Sequence, residues 1–260
     1  MPAPAVRVRL PAVFRAAAGG RAEVRVEGAT VGEALAALCR AHPELTARLL
    51  GPDGGPRRYV SVFVNDEDAR QLGGVGAALA DGDELTIVPA ISGGAASAPA
   101  GEASEAGEGA TAQPALAAVA ALAERSPGAE VCGFVLAGGG APAELVPVPN
   151  AAPEPARAFA MRPQDVLRVL RRADDEGRTV AAIWHSHVTG GACLSPADVA
   201  GLTVEGGPMI PDAELWIAGV EQGRAVEVRG YRWTGSGWTE GFRRRGPFTP
   251  RERHGLIPIS

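Results

Sequence analysis

Two histidines, a serine and an aspartate stand at a spacing suited to holding a metal ion. His185-Ser186-His187 closes a short apolar run, Val180 to Trp184, and Ser195 and Asp198 follow as His-x-His-x7-Ser-x2-Asp. Side chains at i and i+2 of a strand point to the same face, so His185 and His187 can reach one ion. Thr189-Gly190-Gly191 can turn the chain back toward them. Ser195, Pro196 and an acid in the next turn are the residues that start a helix, with Ser195 as its N-cap. Asp198 then offers an oxygen from the first helical turn. Two imidazoles and one carboxylate leave a fourth tetrahedral position for water, the pattern of a catalytic rather than a structural Zn2+. Either half of the motif alone has a plain reading: a His-x-His strand end, and a well-capped helix. The two together are far more specific, because the chain has four histidines and two lie here.

A water-activating site also needs a general base. Ala129-Glu130-Val131-Cys132-Gly133-Phe134-Val135-Leu136 sets an acid at the head of an apolar strand. The preceding Pro114 to Arg125 reads as a helix able to pack on the same sheet. A carboxylate there could take a proton from water and pass it to a leaving amine. The ordinary alternative is a solvated acid at a strand edge.

Glu130 in Glu-x-Cys-Gly, then His185-Ser186-His187, Ser195 and Asp198, resembles the JAMM (MPN+) metalloproteases. The resemblance covers roughly 114–241. It implies His185, His187 and Asp198 as Zn2+ ligands and Glu130 as the residue that positions and deprotonates the water. Ser195 would hydrogen-bond the oxyanion forming at the scissile carbonyl. It also implies an α/β sandwich with a mixed sheet, in which Leu215 to Val220 and Ala225 to Tyr231 are later strands. A metallo-β-lactamase would need His-x-His-x-Asp-His, and Val188, Thr189 and Gly190 stand there instead. An amidohydrolase barrel needs about twice the length. Cys132 and Cys193 read as buried apolar thiols, with a redox-sensitive pair beside the metal as the alternative.

The first 94 residues have a different order. Val6 to Leu10 and Ala22 to Val26 alternate charged and apolar residues as half-buried strands do, and Ala18-Gly19-Gly20 can join them. Thr30 and Glu33 form a capping box for a helix whose apolar face is Val31, Leu35, Leu38 and His42, ended by Pro43. Tyr59 to Val64 and Leu85 to Val88 are strands, and Asn65-Asp66 and Asp81-Gly82 are turns. This ββαββ order, with Asp-Gly-Asp-Glu running through an apolar strand into Gly93-Gly94, resembles the β-grasp, ubiquitin-like sulfur carriers of molybdopterin, thiazole and protein-bound cysteine synthesis. In that family the terminal glycine carboxylate is adenylated, by an E1-like enzyme, and converted to a thiocarboxylate. Glycines let such a tail enter a narrow site without a Cβ in the way. Here Ala95 follows Gly94, so the Gly94–Ala95 bond must be cut before any carboxylate exists.

The overall fold class expected is therefore α+β: a β-grasp domain over 1–94, a flexible linker over 95–113, a JAMM/MPN domain over 114–242, and a tail from 243 to 260. Residues 95–113 contain only small, polar and acidic side chains and cannot offset their ordering entropy by burial. As a coil they would span ~25 Å root-mean-square and reach ~60 Å when extended. That lets Gly94 loop back to the metal at an effective concentration of about millimolar. The expected activity is hydrolysis of the amide after a carrier's Gly-Gly. The carrier is either the chain's own first domain or a separate protein, including a carrier–cysteine adduct. Two competing readings are a non-processing scaffold with a docking β-grasp module, and a peptidase whose first domain only recruits another substrate.

A net charge of −5 gives nothing to attract nucleic acid. Arg243 to Arg245 reads as a solvated run. Three cysteines fit a reducing cytoplasm, and the opening residues lack a signal-peptide core. No run reaches the ~18 apolar residues of a membrane span. All 25 basic residues are arginine, so the chain offers no lysine for side-chain attachment.

Overall fold

The computed structural model describes residues 2–94, 113–188 and 191–248. Ala95, most of the expected linker, Thr189-Gly190 and most of the expected tail lie outside the described residues.

In the first lobe, β1 (Ala5–Arg9) and β2 (Glu23–Glu27) form an antiparallel pair with Val6 opposite Val26 and Val8 opposite Val24. Their alternation puts these valines inward and the charges outward. A short helix, α1 (Ala12–Arg15), sits in the connection, and the turn closes on Gly19 and Gly20 at φ +66° and +81°. Thr30 caps α2 (Val31–Ala41), accepting from the Glu33 N–H at 3.2 Å. Glu33 returns the bond one residue further upstream than the capping box requires, to the Ala29 N–H at 2.8 Å. After α3 (Thr46–Leu49), β3 (Val60–Val64) turns at Asn65 and Asp66, both at positive φ, into β4 (Glu67–Asp68). The main sheet ends in β5 (Glu84–Pro89), and β6 (Ser92–Gly93) is the tail. Strand order is β2-β1-β5-β3-β4 with β1 and β5 parallel. This is the β-grasp arrangement with one helix across the sheet.

The second lobe opens with α4 (Gln113–Glu124), β7 (Cys132–Gly138), β8 (Ala141–Val148), β9 (Phe159–Ala160) and α5 (Pro163–Asp175). It continues with β10 (Arg178–His187), α6 (Pro196–Leu202), β11 (Thr203–Val204) and β12 (Gly207–Pro208). Three long strands finish it: β13 (Glu214–Glu221), β14 (Arg224–Trp233) and β15 (Trp238–Arg245). The six-stranded sheet runs β15-β14-β13-β10-β7-β8 and is mixed, because β10 and β13 are parallel. The two-residue period of β10 sorts its side chains between faces. Ala182 and Trp184 pack with α4 through Leu116, Val119 and Ala120, while Ile183 joins the α5 side with Val166 and Phe134. The sandwich follows from that period. β15 continues through Arg245, so the Arg243 to Arg245 run lies on the edge strand of the sheet, with Arg244 and Arg245 exposed and Arg243 half-buried. Arg243 pairs with Glu227 at 2.7 Å.

The two lobes share a core. In β3 and β5, Val60, Val62, Val64, Leu85 and Ile87 face α2. The alternate residues Phe63 and Val88, with Ile91 beyond them, join the core of the second lobe. Around this seam Arg15 meets Asp174 at 2.7 Å, Arg171 of α5 meets Glu84 at 2.7 Å and also Asp66, and Arg57 meets Glu205 at 3.2 Å. Partly exposed pairs of this kind contribute ~0.2–1 kcal/mol each. Full burial of a Phe, Val or Ile is worth ~1.5–3 kcal/mol. The apolar trio therefore holds the seam and the charges fix its register.

Candidate metal centre and tail cleft

The site is assembled from three segments of the second lobe and the tail of the first. β10 and β7 pair with His185 opposite Cys132. The Ser186 N–H donates to the Val131 carbonyl at 2.9 Å, and the Val131 N–H donates to Ser186 Oγ at 3.0 Å. That register carries Glu130 to the level of His187 at the end of the strands. The Glu130 backbone is fixed on both sides: its N–H donates to the Pro155 carbonyl at 2.6 Å, and its carbonyl accepts from Asn150 Nδ2 at 2.9 Å.

His185 and His187 project to the α5 side, with their Nε2 atoms 3.1 Å apart. Asp198 faces both: its Oδ1 is 3.1 Å from His185 Nε2 and its Oδ2 is 3.4 Å from His187 Nε2. Asp198 reaches this place because the capping box of α6 is closed in both directions. The Asp198 N–H donates to Ser195 Oγ at 3.0 Å, and the Ser195 N–H donates to Asp198 Oδ2 at 2.9 Å. The helix start read as structural and the ligand turn read as chemical are thus one feature. Glu130, His185, His187, Ser195 and Asp198 are all buried. Phe159 stacks on the His185 ring at 4.4 Å between centroids.

Burial pushes the His185 imidazole down from its ordinary value, toward the neutral form a ligand needs. For His187, burial opposes the charged form, but the Asp198 hydrogen bond and charge, the Glu130 charge and the Gly191 carbonyl outweigh it, and its pKa is raised. For Asp198, burial opposes the carboxylate, and the two histidines overcome it, holding the carboxyl well below its usual range. Among the described residues one group of three potential ligands gathers its donor atoms within 4.8 Å, and it is His185, His187 and Asp198. Two imidazole nitrogens and a carboxylate oxygen, deeply buried, are the donor set that zinc takes. The residues present fit the ion.

The tail lies in the cleft beside this group. Ser92 and Gly93 pair antiparallel with Ala160 and Phe159, and the Met161 N–H donates to the Ile91 carbonyl at 2.9 Å. The Gly94 N–H donates to Asp198 Oδ1 at 2.9 Å, and Ser195 Oγ donates to the Gly94 carbonyl. Both glycines are required by space. A Cβ on Gly93 would strike Asp198 and the Phe159 ring, the latter at 2.6 Å, and one on Gly94 would sit 2.5 Å from the Arg157 carbonyl. The opposite wall has the same need: a Cβ on Gly201 of α6 would collide with the Ser92 carbonyl.

All five expected side chains and both expected tail glycines come together; Ala95 lies outside the described residues. Several residues of the site carried no readable signal. Phe159 and Gly201 wall the cleft. Tyr231 on β14 holds the loop before Ser195, donating to the Ala192 carbonyl at 2.9 Å and accepting from the Leu194 N–H at 3.1 Å. Cys132 is the buried thiol expected, pushed up to about 12 by burial and then by the charges of Glu130 and Asp165, whereas Cys193, expected to be buried as well, is half-buried.

Comparison with known proteins agrees with both lobes. Residues 8–94 match the ThiS family, and residues 112–233 match the prokaryotic homologues of the JAB domain. The sulfur carrier protein CysO of Mycobacterium tuberculosis is 40% identical over 91 residues, 34% of this chain and 98% of that protein. Small archaeal modifier protein 1 of Haloferax volcanii is 47% identical over 79 residues, 30% of this chain and 86% of that protein. A probable TtuB-protein conjugate cleaving protease of Thermus thermophilus is 38% identical over 55 residues, 21% of this chain and 37% of that protein. Through residues 8–94 the chain belongs to the ThiS family of ubiquitin-like sulfur carriers, and it carries a JAB-type, JAMM-like domain over 112–233 in the same polypeptide.

Proposed function

We propose that the second lobe is a zinc metallopeptidase that hydrolyses the amide after Gly94 of its own carrier lobe, releasing a sulfur carrier with a free Gly-Gly carboxylate. The observation that carries this reading is the seating of Gly94. Its N–H is held by Asp198 and its carbonyl, the carbonyl of the bond to be cut, by Ser195. His185, His187 and Asp198 would hold the zinc, which when bound supplies Lewis acidity and makes water a better nucleophile near neutral pH.

The chain's own residues account for the rest. Ser195 donates a hydrogen bond to the Gly94 oxygen, where negative charge builds as water adds to the carbonyl carbon. A fixed donor aimed there lowers the barrier. Glu130 takes a proton from the attacking water. It returns that proton to the Ala95 nitrogen as the carbon–nitrogen bond breaks. The products are the Gly94 carboxylate and a new amine at Ala95. Pairing of Ser92 and Gly93 with β9 holds the tail extended and keeps the carbonyl in register.

The freed carboxylate is the form an E1-like adenylating enzyme takes, which places the product in sulfur transfer for cysteine or cofactor synthesis. A separate carrier, or its cysteine adduct, presents the same amide to the same residues. The Thermus relative named as a probable TtuB-protein conjugate cleaving protease supports that wider substrate class.

The test is intact mass after zinc is added to metal-stripped full-length chain, beside Glu130→Gln. The wild type is expected to split between Gly94 and Ala95, with the variant slower by about 10²–10⁴-fold. A wild type that binds zinc yet stays whole, and leaves other Gly-Gly carriers uncut, contradicts the reading. A scaffold without metal would neither bind zinc nor cut either substrate.

A further inference from the structure

We infer that the interface between the lobes outlives the covalent link, so that hydrolysis yields a two-chain complex with the carrier's tail still lodged in the cleft. The inference rests on the preceding reading only for the step that cuts the chain. Cutting after Gly94 removes none of the contacts that join the lobes. Phe63, Val88 and Ile91 remain in the shared core. Arg15 keeps Asp174, and Arg171 keeps Glu84 and the Thr86 hydroxyl at 3.0 Å. Ser92 and Gly93 keep their pairing with β9, and the Gly94 N–H keeps Asp198. Every carrier residue in these contacts lies on the N-terminal side of the proposed cut, and every partner on the C-terminal side.

The composition of the carrier sheet supports the same conclusion. A free carrier of this fold would expose Phe63 and Val88 on the face away from α2, an apolar pair within a ring of charge. Here Phe63 and Val88 are buried as completely as the residues under α2, while Arg7 of β1 and Arg25 of β2 on the same sheet stay exposed. An apolar centre with a charged rim is the anatomy of a surface that binds a partner. The partner is the face of the hydrolase lobe built by α5, with Asp174 and Arg171 reading opposite charges on the carrier.

Two consequences follow. The tail blocks the cleft of the lobe that cut it, so each hydrolase is held by its own product. A second carrier gains the cleft only by displacing the first, and carriers that mismatch the charges of α5 are disfavoured.

The experiment uses the full chain with a recognition sequence for a site-specific protease inserted within residues 95–112. The nick is made by the added protease, so the result does not depend on the chain's own activity. At about micromolar concentration the two fragments are expected to co-elute on size exclusion at the position of the uncut chain. Separate elution of a folded carrier and a folded hydrolase fragment overturns the inference. Reversing charges on α5 with Arg171→Glu and Asp174→Arg, which leaves the apolar centre untouched, is expected to raise the dissociation constant of the nicked pair at least about tenfold. An unchanged constant would mean that this face does not hold the carrier, and overturns it equally.

Discussion

Two polar clusters stand against the six-stranded sheet, one pairing its carboxylates with guanidiniums and the other with imidazoles. Glu227, Arg229, Glu240 and Arg243 lie on β14 and β15 as two acids and two guanidiniums. Arg229 meets Glu227 at 2.8 Å and Glu240 at 3.4 Å, and Arg243 meets Glu227 at 2.7 Å. His185, His187, Asp198 and Glu130 form the other. They contain two acids and two imidazoles, with no arginine among them. Both clusters grip the same loop: Glu227 accepts from the Ala192 N–H at 3.1 Å, and His187 Nδ1 meets the Gly191 carbonyl at 3.2 Å. A buried charge must be paired or must coordinate a metal. The first cluster is complete as protein and shapes the loop. The second brings two imidazole nitrogens and a carboxylate oxygen within 4.8 Å of one another, the donor set of the proposed zinc site.

That contrast can be broken most strongly at a ligand. His187→Ala is expected to abolish zinc binding and reduce cleavage after Gly94 to background, read by metal analysis and intact mass. Retained cleavage would remove His187 from the ligand set. Next in size is the wall of the cleft. Gly201→Ala puts a methyl into the Ser92 carbonyl and should slow cleavage by about 10²-fold, the cost of a misplacement near 1 Å. Zinc content should be unchanged. A normal rate would show that the tail does not pass between α6 and β9.

Tyr231→Phe removes both hydrogen bonds to the loop before Ser195 without touching the ligands. A drop of about tenfold in kcat with KM unchanged is expected, the cost of one to two neutral hydrogen bonds. A change in KM alone would assign Tyr231 to substrate binding. The smallest effect on activity is expected in the balanced cluster, where Glu227→Gln should act on stability. Burial opposes the Glu227 carboxylate, but Arg243, Arg229 and the Ala192 N–H outweigh it and lower its folded pKa below the ordinary glutamate value. Such a group stabilises the fold above the unfolded pKa, near 4.3, and that contribution is lost as pH falls through the folded value. Glu227→Gln should therefore cost ~3 kcal/mol at pH 7, and the gap to wild type should narrow as pH drops from 5 toward 3. Denaturant unfolding at several pH values reads it, and a constant gap would contradict the assignment.

How far the sequence discloses these features depends on distance along the chain. His185 to Asp198 spans fourteen residues, and strand period and helix capping, both readable locally, set the directions of its ligands. The β-grasp order was equally legible, because alternation, one capping box and the turn residues are local. The balanced cluster was not. Arg243 lies sixteen positions from Glu227, and an arginine run looks the same whether solvated or paired across strands. Gly201 gave no signal because its contribution is the absence of a side chain, felt only where a strand more than a hundred residues away passes over it. Phe63 and Val88 read as ordinary strand residues. That they serve a second core depends on the docking of the lobes, which local pattern does not encode.

The decisive measurement is zinc per chain at equilibrium for the wild type, His187→Ala and Glu227→Gln. The account predicts one zinc in the wild type, none in His187→Ala and one in Glu227→Gln. A wild type without zinc, or zinc retained in His187→Ala, would contradict it.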